Sequence, residues 1–154
     1  MRTMPDFKDL NSLFKHLNKN CLGSALKREG AETVTKEMSE TIKDVTYNEY
    51  DPSEYVRRMD GGGISDVRNY TVEIIGDNTI SITNDATGAD DDFGKPLDEI
   101  IVSGTGYTWK NSGIYKMQPY PRDFYSDTVE RLKNNGKHVE AIRTGLKRQG
   151  VDVR

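Results

Sequence analysis

One apolar stripe constrains this chain more than any other feature. Ala31, Val34, Met38, Ile42 and Val45 fall on one helical face, with Lys, Glu and Thr around them. The spacing predicts a long helix from about residue 24 to about residue 49, weakened at Gly30. Asp51-Pro52 ends it, because a residue before proline resists the α region. The stripe is narrow and the other faces are polar. Such a helix is expected to lie on other elements, not inside them.

Upstream, Phe7, Leu10, Phe14 and Leu17 also repeat at helical spacing. Asp6 is the expected N-cap, and this first helix is expected to end near Asn20, before Gly23. Residues 1–23 therefore read as an N-terminal helical arm. Residues 51–69 read as a flexible glycine-containing loop through Gly61, Gly62 and Gly63.

A hairpin follows. Tyr70, Val72 and Ile74 alternate with Thr71, Glu73 and Ile75, Gly76-Asp77-Asn78 makes the turn, and Ile80 and Ile82 mark the return. The apolar segment from Leu97 to Val102 suits a helical turn or a strand equally. Pro119 and Pro121 hold the chain extended until Asp123, which caps a helix whose Tyr125, Val129 and Leu132 share a face. Asn135-Gly136 stops it. A last helix, about 137–149, carries Val139, Ile142 and Leu146 and ends at Gly150. Together these predict one α+β domain over residues 1–154. A small, mostly antiparallel sheet is packed by a long N-terminal helix and C-terminal helices.

Composition narrows the function. Hydrophobic residues make up only 34% and charged residues 31%, and mean hydropathy is -0.77. Either part of the chain is disordered, or the monomer is extended and completes its burial against neighbours. Twenty-two basic and 25 acidic residues are interspersed, for a net charge of -3, so no field holds nucleic acid tightly. Cys21 has no partner for a disulfide or a metal site, which suits a reducing cytoplasm. No apolar run suggests a signal peptide or a membrane span.

The candidate chemistry is thin. Gly104-Thr105-Gly106 lacks the third glycine of a dinucleotide fingerprint, since Trp109 stands there. Asp90, Asp91 and Asp92 lack the alternating spacing of a calcium loop. His16 and Cys21, five apart, do not face each other on a helix, and His138 is remote. No catalytic, cofactor-binding or metal-ligating residue is assigned, and the chain is not expected to be an enzyme. Tyr55, Arg57 and Arg58 carry the residue types that anchor protein interfaces. Tyr107, Trp109, Tyr115, Tyr120, Arg122, Phe124 and Tyr125 either do the same or close the core.

The order of these features resembles a known family. After the long helix come Pro52, Tyr55, Arg57 and Arg58, then Gly62-Gly63-Ile64. A hairpin leads to Ile101-Val102-Ser103-Gly104-Thr105-Gly106, then to Pro121-Arg122-Asp123-Phe124, and GLKRQGVDV follows at residues 145–153. From about Ala31 onward this looks like the neck proteins of tailed bacteriophages: head–tail joining, tail-completion or minor capsid proteins. Family members often carry an acidic residue where this chain has Val102 and Ser103, and Arg-Pro-Phe where it has Arg122-Asp123-Phe124. The resemblance implies a non-enzymatic virion component in the neck or tail, assembled in the host cytoplasm without cofactor or membrane. Copies would form a closed, six-fold ring contacting other neck, connector and tail-tube proteins, with DNA passing through unbound. Its interface candidates are Tyr55, Arg57, Arg58, Gly104, Gly106, Trp109, Pro119, Pro121, Arg122 and Phe124. The alternative is a small regulatory module that binds another protein through Arg57 and Arg58.

Overall fold

The computed structural model describes residues 5–49, 56–88, 94–105 and 120–154. Among the described residues it is an α+β structure with four α-helices and a two-stranded antiparallel sheet. The long helix, α1, runs from Leu10 to Tyr47. Its α-helical stretches Leu10–His16, Gly23–Ala25 and Ala31–Ile42 alternate with wider turns at Leu17–Leu22, Leu26–Gly30 and Lys43–Tyr47. In the wide turns a backbone N–H reaches five residues back: Gly23 to Asn18, Ala31 to Leu26, Asn48 to Lys43.

The expected break near Asn20 is absent: Leu22, Gly23 and Ala25 all keep right-handed helical dihedrals. Glycine in a helix costs about 1 kcal/mol against alanine, but here it makes room. A Cβ on Gly23 would stand 3.0 Å from the Asp77 carbonyl oxygen in the hairpin turn. The N-cap is Asp9, not Asp6: its side chain accepts from the Ser12 N–H at 2.7 Å.

The strands are β1 (Tyr70–Ile74) and β2 (Ile80–Asn84). Ile75 N–H donates to Thr79 O across the turn, where Gly76 takes φ 80°. A short antiparallel bridge joins Thr87 to Pro96. The ambiguous apolar segment is helix α2, Leu97–Ser103. Two further helices follow, α3 (Phe124–Asn135) and α4 (Lys137–Arg148). The end of α4 is closed by Gly150 N–H to Lys147 O and Val151 N–H to Leu146 O, with Gly150 at φ 85°.

The chain forms two compact units. One comprises Met1–Thr35, Val72–Ile82 and Leu132–Arg154; the other comprises Lys36–Thr71 and Thr83–Arg131. In the first, Cys21, Ala25, Ala31 and Leu132 are buried. There α4 runs antiparallel to α1 at close range, since a Cβ on Gly145 would stand 2.7 Å from the Ala25 Cβ. The wide turn Leu26–Gly30 brings Gly30 onto this same face, 3.6 Å from Ile142 Cγ1 measured from an added Cβ. In an unwidened helix a five-residue step would rotate Gly30 about 140° away from Ala25.

In the second unit Met38, Ile42, Ile64, Ala86 and Phe124 are buried together with Ser39, Thr41, Ser65, Asp66, Asn84 and Thr128. The expectation of a narrow stripe on α1 is corrected: Glu37, Ser39, Thr41 and Thr46 are buried beside Met38 and Ile42. Hydroxyls can enter a core when their protons are used. Ser39 Oγ donates to Ser65 O at 2.6 Å, and Thr41 Oγ1 to Glu37 O at 2.8 Å. The face of α3 is also corrected. Phe124, Thr128 and Leu132 are buried, whereas Val129 is exposed. Thr128 escapes notice as a core residue because its hydroxyl is polar, yet it donates to Phe124 O at 2.6 Å.

Candidate functional site

Residues 56–69 lie within the stretch expected to be a flexible loop, and side chains pin them from several directions. Arg57 Nη1 donates to Tyr47 O at 2.6 Å, and its guanidinium carbon lies 5.0 Å from the Tyr47 ring centroid. The cation thereby satisfies a carbonyl at the negative end of α1. Arg58 Nη2 donates to Thr87 O. Asn84 Nδ2 donates to Ile64 O at 2.7 Å, and Asn69 Nδ2 to Gly63 O at 2.8 Å. Gly63 is fixed by space, since an added Cβ would lie 2.6 Å from Met59 O.

Asp66 is the hub of this loop. Its carboxylate accepts Arg68 Nη2 at 2.6 Å, Arg68 Nε at 3.0 Å and the Arg68 and Gly62 backbone N–H groups at 3.0 and 2.8 Å. The Arg68 fork, then these backbone donors, hold the carboxyl well below the usual range. Arg68 Nη2 also donates to Asp60 O, and Ser65 Oγ to Asp60 Oδ1.

Beside the hub lies a groove of about 320 Å³ lined by Lys36, Ser39, Glu40, Lys43, Asp60, Asp66, Val67 and Arg68. Lys43 Nζ meets Glu40 at 3.2 Å and Asp60 at 3.4 Å. Glu40 first, and Asp60 with it, raise the Lys43 pKa. Three cations, Lys36, Lys43 and Arg68, and three carboxylates, Glu40, Asp60 and Asp66, line it, so the groove presents mixed charge. That suits contact with another polar protein surface better than holding a polyanion.

A second cluster centres on Tyr125. Its hydroxyl donates to Asp98 Oδ2 at 2.9 Å and accepts the Asn84 N–H at 3.1 Å, tying α2, α3 and β2. Burial is the main reason its pKa is pushed up to about 12.

The interface candidates separate into three groups. Arg57 and Arg58 are spent partly on the chain's own carbonyls. Gly104, Pro121, Arg122 and Phe124 come together, but Gly104, Arg122 and Phe124 are buried. Tyr55, Gly106, Trp109 and Pro119 lie outside the described residues, as do Asp90, Asp91 and Asp92. Sequence reasoning missed Asp66, Arg68 and Asn84. The one available signal was Asp-x-Arg just before a strand, a pattern that suits a side chain turning back on its own backbone. Cys21 is buried, which pushes its thiol pKa up. His16 Nδ1 accepts from Asn20 Nδ2 at 3.0 Å.

Among the described residues no group of His, Cys, Asp and Glu is placed to hold a metal ion, and no helix is long and apolar enough to cross a membrane. Fold and site define a small α+β protein whose polar side chains chiefly hold its own loops. The chain matches the model of the YomN family over residues 9–148 and belongs to that family. The name is a phage-type one, of the Bacillus SPbeta-like kind. No curated protein and no solved structure matches the chain.

Proposed function

We propose that this chain is a structural component of a tailed-phage particle, joining the head connector to the tail as one copy in an oligomeric ring. The family match over residues 9–148, with its phage-type name, carries the reading. The pattern from Tyr55 through Phe124 that resembles neck proteins supports it. So does the placement of apolar residues. In a chain with only 34% hydrophobic residues, Leu10 and Phe14 on one face of α1 are 68% and 57% exposed, and Ile74 and Ile75 are 55% and 57% exposed. Leaving scarce apolar side chains in water, in pairs, fits a subunit that completes its burial against another copy.

The mechanism is geometric. A ring of identical copies offers one face to the connector and one to the tail, and an acidic chain lets DNA pass without retaining it. Deleting the gene from its phage tests this. Lysates should then hold filled heads and free tails that do not join, with joining restored by the gene in trans. Infectious particles of normal morphology in the deletion strain would overturn the reading.

A further inference from the structure

We propose that α4 is exchanged between copies, so that the α1 face carrying Cys21, Ala25 and Glu29 is covered in the assembly by α4 of a neighbour. Gly136 is the single residue between two helices of 12 residues each. It reverses the chain at φ 65°, and among the described residues nothing lies within 4 Å of where its Cβ would stand. The hinge is one residue long, and its hydrogen bonds run only to the neighbouring turns, from Gly136 N–H to Leu132 O and from the Val139 and Glu140 N–H groups to Gly136 O.

The docking of α4 is specific but shallow. Gly145 is its one buried residue, and Val139 is 42% exposed. What holds it is directional. Arg148 forks onto Glu29, with Nε to Oε1 at 2.6 Å and Nη2 to Oε2 at 3.3 Å. Gln149 Nε2 donates to Cys21 O at 2.7 Å, beside the wide turn of α1. Gly145 fits against Ala25 so closely that no side chain could replace its hydrogen without a shift.

Such a face recognises α4 of any copy equally. Exchange keeps every one of these contacts and changes the backbone only at Gly136, where release from the left-handed turn lets α3 and α4 run on as one helix. A one-residue hinge between two helices favours this route to association. Passed from copy to copy in one direction, the exchange closes a ring. The inference rests on the self-association in the proposed function, but it is tested separately.

Glu29→Arg and Arg148→Glu, purified separately, each set like charges across their own latch. In the mixture, exchange brings opposite charges together again at both latches. Oligomers holding both variants are expected in the mixture by native mass spectrometry, while either variant alone stays monomeric. Either variant alone associating as well as the wild type overturns the exchange and leaves the ring standing; a mixture no more associated than the separate variants overturns the exchange as well. A short Gly-Ser insert after Gly136, with far-UV circular dichroism to confirm helix content, gives a second reading. A longer hinge lets α4 fold back on its own chain, so self-association should weaken about tenfold or more. Unchanged association with the insert also overturns the exchange.

Discussion

A methyl carbon added to Gly104 would stand 2.4 Å from the nitrogen of Pro121 and 2.3 Å from the Tyr120 carbonyl carbon. Helix α2 ends at this glycine, at φ 69°, and the chain returning toward α3 crosses directly over it. Arg122 N–H donates to Ile101 O at 2.9 Å, which fastens the crossing. The proline therefore stiffens the chain where it must pass a helix end at backbone contact and then enter α3.

Gly104→Ala combines a left-handed dihedral with a steric overlap on backbone. It should cost about 2–4 kcal/mol of stability. Gly76→Ala, at φ 80° with open space around it, should cost only about 1–2 kcal/mol. Urea titrations of both variants would show the difference, and equal losses would mean the crossing gives way easily.

Phe124 is 0% exposed, whereas Val129 on the same helix is 49% exposed. Truncating Phe124 to alanine should cost about 3–5 kcal/mol. Val129→Ala should stay within about 0.5 kcal/mol of the wild type. A larger loss at Val129 would restore the face read from periodicity.

The Asp66 carboxyl titrates lower in the folded chain than its ordinary value of 3.8, chiefly because of the Arg68 fork. The unfolded chain therefore binds the extra proton first as the solution is acidified. The stabilisation is complete above pH 3.8 and is lost as pH falls through that value toward the folded pKa. The stability gap between the wild type and Asp66→Asn should narrow steadily from pH 5 to pH 2, as followed by denaturant midpoints. A gap constant over that range would remove Asp66 as the hub of the loop.

An added Cβ on Gly145 would meet Ala25 Cα at 3.0 Å as well as its Cβ at 2.7 Å. Gly145→Ala should push α4 off α1 at a cost of about 1–3 kcal/mol. Amide exchange should accelerate in α4 while the amides of Met38 and Ile42 stay protected. Acceleration everywhere at once would show that the whole chain opens as one body.

Much of the local structure was legible. The period of Ala31, Met38 and Ile42 marks α1, and the alternation from Tyr70 to Ile74 marks β1, because both patterns are imposed by neighbours within a turn or a pleat. Asp123 was legible as a cap and accepts the Ser126 N–H at 3.1 Å. The loop from Arg57 to Arg68 was not, because its order comes from groups remote in sequence. Asn84 reaches Ile64, Tyr47 reaches Ser65, and Arg58 reaches Thr87. Three consecutive glycines announce backbone freedom and say nothing of which side chains will remove it.

By itself the sequence determined that the hairpin extends and that the stretches around Ala31–Ile42, Phe124–Asn135 and Lys137–Arg148 coil, since those choices rest on rotation per residue and on caps a few positions away. Tertiary structure alone decided that α1 continues through Gly23 and that Thr128 faces the core. It also decided that Gly104 and Gly145 stand where no larger residue fits. For each glycine the deciding atom belongs to a segment distant along the chain: Asp77 for Gly23, Tyr120 and Pro121 for Gly104, Ala25 for Gly145. Contacts of that range depend on how whole elements dock, which no local period encodes.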